Sequence, residues 1–273
     1  MNGISEEIIK EVKINFDIFV ETTEKQIEVM IITSKDMPMP MPMPSLVVAA
    51  GFSNKSFVGS ASMILKNINK LKKKFEKIII IDYDSYKNEQ TLACKCRDEE
   101  MEKDPKNKKK IYQPENELND KMAKIFDNMI QNDLKLDNVH LLGKCAGGGI
   151  MIHLLCNASI YKALYLAVPG NPFGVEKLLE LDSERLSKIK FIFSWTKQDT
   201  FLFHWCIESK DEKLRYDDTM RSIEGEKKIK LDYKSILQNL PNTNPDNKLY
   251  HEINQKLIDE IVKNKKNDKN KSK

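Results

Sequence analysis

The chain has no apolar run approaching the roughly 20 residues that cross a bilayer, which argues against a membrane-spanning helix and predicts a soluble protein. It also lacks a field of one sign. Its 45 basic and 41 acidic residues leave a formal charge of +4, so charge alone implies no nucleic-acid partner. Much of that excess lies in residues 263–273, a lysine- and asparagine-rich stretch; the reading is one domain over 1–263 and a disordered basic tail over 264–273. The phosphate-binding patterns Gly-x-x-x-x-Gly-Lys-Ser/Thr and Gly-x-Gly-x-x-Gly are both missing, and no cofactor is expected. Cysteine is scarce and odd in number, five in 273 residues. Cys94 and Cys96 have no second Cys or His pair at zinc-finger spacing, so no metal is expected and two loop thiols are. Met1–Glu7 shows no basic-then-apolar signal region, and with the unpaired cysteines this predicts a reducing, cytoplasmic setting.

What is present is a set of short apolar segments, 40% hydrophobic residues overall, enough for one large α/β core. Val12, Ile14, Phe16, Ile18 and Val20 alternate with polar positions, and Ile27, Val29 and Ile31 repeat the alternation, which predicts an antiparallel hairpin. The run Met37–Pro44 alternates Met with Pro and predicts a stiff, polyproline-like connector. Residues 46–50, 78–81, 139–142, 163–168 and 189–193 read as buried strands. Residues 61–71, 118–130 and 150–155 read as helices at 3.6-residue spacing. Leu178, Leu179, Leu181 and Leu186 suggest a further helix, Ile229 to Tyr233 a last strand, and Ile253 to Val262 a closing helix. The polar stretch from Asp84 to Pro114, with the charge run Asp104–Lys110, reads as a solvated loop. An antiparallel hairpin followed by alternating strands and helices predicts a three-layer α/β/α sandwich on a mostly parallel sheet, with reactive groups at the strand C-terminal edge.

One stretch carries chemistry. Gly143-Lys144-Cys145-Ala146-Gly147-Gly148-Gly149 joins a buried strand to a helix, and within it Gly-x-Cys-x-Gly has the form of Gly-x-Ser-x-Gly with a thiol as nucleophile. A nucleophile on so tight a turn needs small neighbours two residues either side. It is presented at a helix N-terminus, where free N–H groups and the positive dipole end favour a thiolate. Lys144 adds to that field if its side chain turns inward. The bland alternative is a small packed cysteine at a turn.

With these elements in this order, the chain resembles the α/β-hydrolase fold from about Val12 to Val262. The Gly-x-Cys-x-Gly-Gly elbow is similar to that of dienelactone hydrolases. The resemblance implies a Cys-His-Asp triad in the chain order nucleophile, acid, histidine. Asp199 suits the acid, because it follows the strand ending at Trp195; a turn or cap role is its alternative, and Asp217 and Asp218 are fallback carboxylates. His140 lies about 16 Å before Cys145 along a strand, and His153 about 12 Å along the following helix, so neither reaches it. His251, after the predicted last strand, takes the base position that the resemblance implies, with His204 as rival. The oxyanion hole would use the N–H of Ala146 and one from the loop after residue 50, most simply Phe52; relatives often carry His-Gly where this chain has Ala50-Gly51.

These residues point to a hydrolase acting on an ester, lactone or thioester carbonyl of a small molecule through an acyl-enzyme. The alternative is a catalytically inactive hydrolase-fold binding or scaffold protein. Phe201, Phe203 and Trp205 suggest an apolar wall near the site.

Overall fold

The protein is described here from a computed structural model, which covers residues 16–22, 27–34, 43–51, 54–169, 172–199, 209–240 and 252–263. Its strands are β1 (Phe16–Thr22), β2 (Glu28–Ser34), β3 (Ser45–Ala49), β4 (Lys77–Asp82), β5 (Val139–Lys144), β6 (Tyr161–Ala167), β7 (Lys190–Thr196) and β8 (Asp232–Gln238). They form one sheet in the order β1-β2-β4-β3-β5-β6-β7-β8. β2 pairs antiparallel with both β1 and β4, and the pairs from β4 through β8 are parallel.

Helices flank this sheet: α1 (Asn54–Lys66), α2 (Ile68–Leu71), α3 (Lys87–Lys103), α4 (Lys108–Asn128), α5 (Ala146–Asn157), α6 (Ser183–Lys188), α7 (Ser209–Lys227) and α8 (Gln255–Val262). A 3-10 segment over Pro172–Glu180 and α6 stand where the leucine spacing suggested a single helix. The three-layer α/β/α architecture is as expected. The inner strands are buried on both faces, which is why they read as unbroken apolar runs rather than alternations: Leu46, Val47, Val48, Ile80 and Ile81 are fully buried. The run of order reverses at β3, which pairs with β4 on one side and β5 on the other. Connections leaving β3 and β5 therefore diverge, and their C-terminal ends border the crevice where open α/β sheets hold ligands.

Two expectations are corrected. The stretch from Asp84 to Pro114 is not a loop: α3 and the first turns of α4 occupy most of it, with Asp104–Asn107 as the turn between them and Pro114 inside α4. Cys94 and Cys96 accordingly lie on a helix. The helices were hidden because the buried face of α3 is Gln90, Ala93 and Arg97, with no apolar stripe to detect. Arg97, 5% exposed, ion-pairs with Glu115 of α4 and with exposed Asp98, and Asn107 caps α4 by accepting from the Lys110 N–H. An ion pair thus joins α3 to α4 alongside buried Ala93 and Ile111. The last strand also starts three residues later than Ile229, at Asp232. Most of the Met-Pro run lies outside the described residues.

Candidate active site

Cys145 stands between the last residue of β5 and the first of α5, with φ 52° and ψ −122°. Positive φ is strained for any residue with a Cβ. The strain is held by two hydrogen bonds, from Cys145 N–H to Ala167 O (3.0 Å) and from Gly148 N–H to Cys145 O (2.9 Å). The flanking glycines have steric reasons. A Cβ on Gly143 would sit 2.6 Å from Gly148 Cα and 2.7 Å from Gly147 O, and one on Gly147 would overlap the carbonyl oxygens of Ala49 and Ala50. Elbow and β3 terminus are therefore in backbone contact. Ala146 is the first residue of α5, so its N–H has no acceptor within the helix.

The end of β3 is held from the other side as well. Tyr83, at the end of β4 and 2% exposed, donates its hydroxyl to Ala50 O. Burial, then the nearby Cys145 and Asp82, raise the Tyr83 phenol well above its ordinary range, so it remains a neutral donor. Ala50 O is thus fixed between a phenol and the Cα of Gly147, which sets the plane of the peptide leading into Gly51-Phe52. Phe52 itself lies outside the described residues.

Asp199 is fully buried in the turn after β7, where its N–H donates to Thr196 O (3.0 Å). That turn is bound to the end of β8. Lys197 N–H donates to Gln238 O (2.8 Å), and the Gln198 amide both donates to Leu240 O (2.6 Å) and accepts from Leu240 N–H (3.0 Å). Lys144, 2% exposed, does turn inward, but its ammonium pairs with the Glu252 carboxylate (2.5 Å), so its charge is matched rather than left to act on the thiol. The same carboxylate lies against α1, where a Cβ on Gly59 would sit 2.9 Å from Glu252 Oε1. Beyond it, Asn254 caps α8 by accepting from Leu257 N–H (2.9 Å) and reaches Ser194 of β7 (3.4 Å). His251 lies in the segment 241–251, outside the described residues, as does His204 with Phe201, Phe203 and Trp205.

No family model matches the chain, and no curated protein matches it either. Solved structures do. A Bacillus subtilis protein described as a hydrolase superposes with a TM-score of 0.51 at 13% identity, over 94% of this chain and 95% of its own. The chain has the α/β-hydrolase fold. Two further matches are a Thermoplasma acidophilum protein described as a CIB-like hydrolase (TM-score 0.49, 14% identity, 90% and 97% covered) and a Klebsiella pneumoniae protein described as a dienelactone hydrolase (TM-score 0.47, 10% identity, 90% and 93% covered).

Within this hydrolase fold the remaining histidines and thiols have structural surroundings. His140 is packed edge-on between Phe75 and Tyr165, with Nδ1 2.8 Å from the Tyr165 hydroxyl; burial, then Lys74 and Lys190, push it down to about 4. His153 is buried against Asp120 (2.7 Å), and burial lowers it despite that carboxylate. Burial pushes Cys94 and Cys156 up to about 12. Asp217 is taken up by Lys213 (2.5 Å) and the Tyr233 hydroxyl, and Asp218 by Arg221. Among the described residues no group of three or more His, Cys, Asp or Glu could hold a metal, and no helix is long and apolar enough to cross a membrane. Sequence reasoning missed Tyr83, Glu252 and the buried pair Glu212 and Tyr216 on α7, of which Tyr216 lies within electrostatic reach of Cys145. Only Glu212 and Tyr216 left a trace, as two large residues four apart on one helix face.

Proposed function

We propose that the protein is a hydrolase that cleaves an ester, lactone or thioester carbonyl of a small molecule, with Cys145 as nucleophile, His251 as base and Asp199 orienting it. The observation that carries this reading is the anchoring of the segment that holds His251. Its preceding neighbour, Leu240, is hydrogen-bonded to the turn bearing Asp199, and its following neighbour, Glu252, is ion-paired to Lys144 beside Cys145. The described residues on either side of His251 are thus tied to the turn of Asp199 and to the neighbour of Cys145, which supports a triad completed by His251. The domain reading accompanies this one: residues 1–263 act as a single unit, in a reducing compartment.

In this mechanism His251 takes the thiol proton and Cys145 Sγ bonds to the carbonyl carbon. The developing oxyanion accepts from the N–H groups of Ala146 and Phe52. The bond to the leaving oxygen or sulfur breaks as His251 returns the proton to it. Water, deprotonated by His251, then attacks the thioester, and the acid departs as the thiol is restored. The geometry at Cys145 favours an active nucleophile over a vestigial one, because a residue in strained backbone at a helix N-terminus costs stability that packing alone does not explain.

Two measurements test the reading. Cys145→Ala should abolish hydrolysis of small activated esters with the fold intact. A mild thiol electrophile near neutral pH should label Cys145 ahead of Cys94 and Cys156, whose thiols burial keeps protonated. Unchanged hydrolysis in Cys145→Ala overturns the assignment, and hydrolysis absent from the native protein favours the inactive scaffold.

A further inference from the structure

Tyr216 of α7 is fully buried, with its ring 5.3 Å from that of Trp195 and 5.6 Å from that of Phe193. Burial, then Glu212, Tyr112, Tyr233 and Cys145, raise its phenol well above the ordinary value, which places the ring within electrostatic reach of the nucleophile. Around that ring are two polar groups that the proposed mechanism does not use. Glu212, one turn earlier on the same helix face, is 1% exposed, and its Oε1 has no hydrogen-bond partner among the described residues. Trp195, fully buried on β7 four residues before Asp199, has an indole Nε1 without a partner among the described residues.

Buried polar atoms are paired in nearly all native proteins, and each exception calls for an explanation. Two exceptions flanking one ring, itself within electrostatic reach of Cys145, share one explanation: they pair with what binds there. Burial pushes the Glu212 carboxyl up to about 8 against the pull of exposed Arg215, so near neutral pH it is mostly an uncharged acid, both donor and acceptor. The other titratable groups facing it, Tyr112 of α4 and Tyr216, are phenols that stay neutral. Trp195 adds a second neutral donor. A charged ligand group would meet no matched countercharge among these residues, whereas a neutral amide would match a donor and an acceptor.

We propose that the Glu212 carboxyl and the Trp195 indole N–H form a neutral hydrogen-bonding subsite, beside Cys145, for an acyl chain that carries an amide. This deepens the hydrolase reading and rests on it. It makes Glu212 a specificity-determining residue: the site accepts an amide-bearing acyl group and rejects its hydrocarbon isostere, because the isostere leaves both protein groups unpaired.

The test uses the full chain and two esters of equal acyl length, 4-nitrophenyl N-acetylglycinate and 4-nitrophenyl pentanoate, with the Cys145→Ala rate subtracted. The native protein should favour the amide ester in kcat/KM by about tenfold or more. Glu212→Gln, which stays neutral and can pair with an amide, should keep that preference. Glu212→Leu should bring it to about one or reverse it, and Trp195→Phe should reduce it. A merely structural carboxyl predicts otherwise, with all variants keeping the native ratio. Absence of preference in the native protein, or a preference that Glu212→Leu leaves unmoved, overturns the subsite. Should neither ester turn over, the hydrolase reading fails separately, and the subsite is read by protection. N-acetylglycinamide should then slow alkylation of Cys145 in the native protein and in Glu212→Gln, but not in Glu212→Leu, and equal rates in all three overturn it. Trp195→Phe supplies the same contrast from the sheet side if the Leu variant does not fold.

Discussion

Breaking the Lys144–Glu252 pair should separate the anchoring of the His251 segment from the stability of the sheet. The two carriers are unequal: the Lys144 side chain is 3% exposed and that of Glu252 is 23% exposed. Glu252→Met strands a buried ammonium, and removing one partner of a buried pair costs about 3–5 kcal/mol; partial exposure of the carboxylate side puts the expectation at the low end, about 3 kcal/mol. Lys144→Met strands a carboxylate that water can reach, so about 1–2 kcal/mol is expected. The double variant Lys144→Met/Glu252→Met leaves no stranded charge and should lie within about 1 kcal/mol of the native protein, since buried pairs are often replaceable by apolar groups at little cost. The coupling energy is then about 3–4 kcal/mol, well beyond the error of additivity. Urea unfolding measures these differences, and ester hydrolysis by the same proteins measures the anchoring. Activity should fall in all three variants, including the double one that regains stability, because the tie from Lys144, beside Cys145, to the chain after His251 is gone in each. Single variants costing less than about 0.5 kcal/mol, or a double variant equal to their sum, would refute the claim that this pair is buried and coupled.

Three further outcomes follow from the same coordinates. Cys145→Gly should abolish activity yet raise stability by about 1 kcal/mol, since glycine relieves a positive φ worth about 1–3 kcal/mol but loses more entropy on folding; a thermal midpoint equal to or below that of Cys145→Ala contradicts it. His140 is neutral in the folded protein down to about 4 but near 6.5 when unfolded, so the unfolded chain binds the extra proton. Its contribution is complete above pH 6.5 and is lost as pH falls from 6.5 to 4, by about 3 kcal/mol from the difference of the two values. His153 shifts the same way, and His140→Gln should flatten the larger part of the slope in urea midpoints. Arg97→Ala should strand Glu115, which burial already raises against the arginine, and cost about 3 kcal/mol with faster amide exchange in α3 and α4; unaltered exchange there would show that apolar packing holds the pair of helices.

The strands and the elbow were legible in the sequence because each rests on a local pattern: Ile78–Ile81 on continuous burial, Gly143-x-Cys145-x-Gly147 on sterics that the coordinates reproduce atom by atom. The antiparallel start was legible for the same reason, through alternation in β2. What was not legible depends on contacts across the chain. α3 carries no apolar stripe, Arg97 on its buried face pairing with Glu115, and Pro114 in a charged setting reads as a breaker although it lies inside α4, whose later turns from Leu118 were legible by their apolar spacing. Lys144 was visible as a charge beside Cys145, but its partner Glu252 is remote in sequence, so the sign of its effect on the thiol was not. Nothing in a one-dimensional pattern marks Tyr83 as the donor that fixes Ala50, or Glu212 as an acid kept neutral by burial.

The most direct test of the proposed nucleophile is the mass of the protein during turnover. With 4-nitrophenyl acetate and a rapid acid quench of the native protein during turnover, one acetyl group should be found on the peptide containing Cys145 and be absent from Cys145→Ala. Acetylation spread over surface lysines, or full hydrolysis without any thioester on Cys145, would contradict the account.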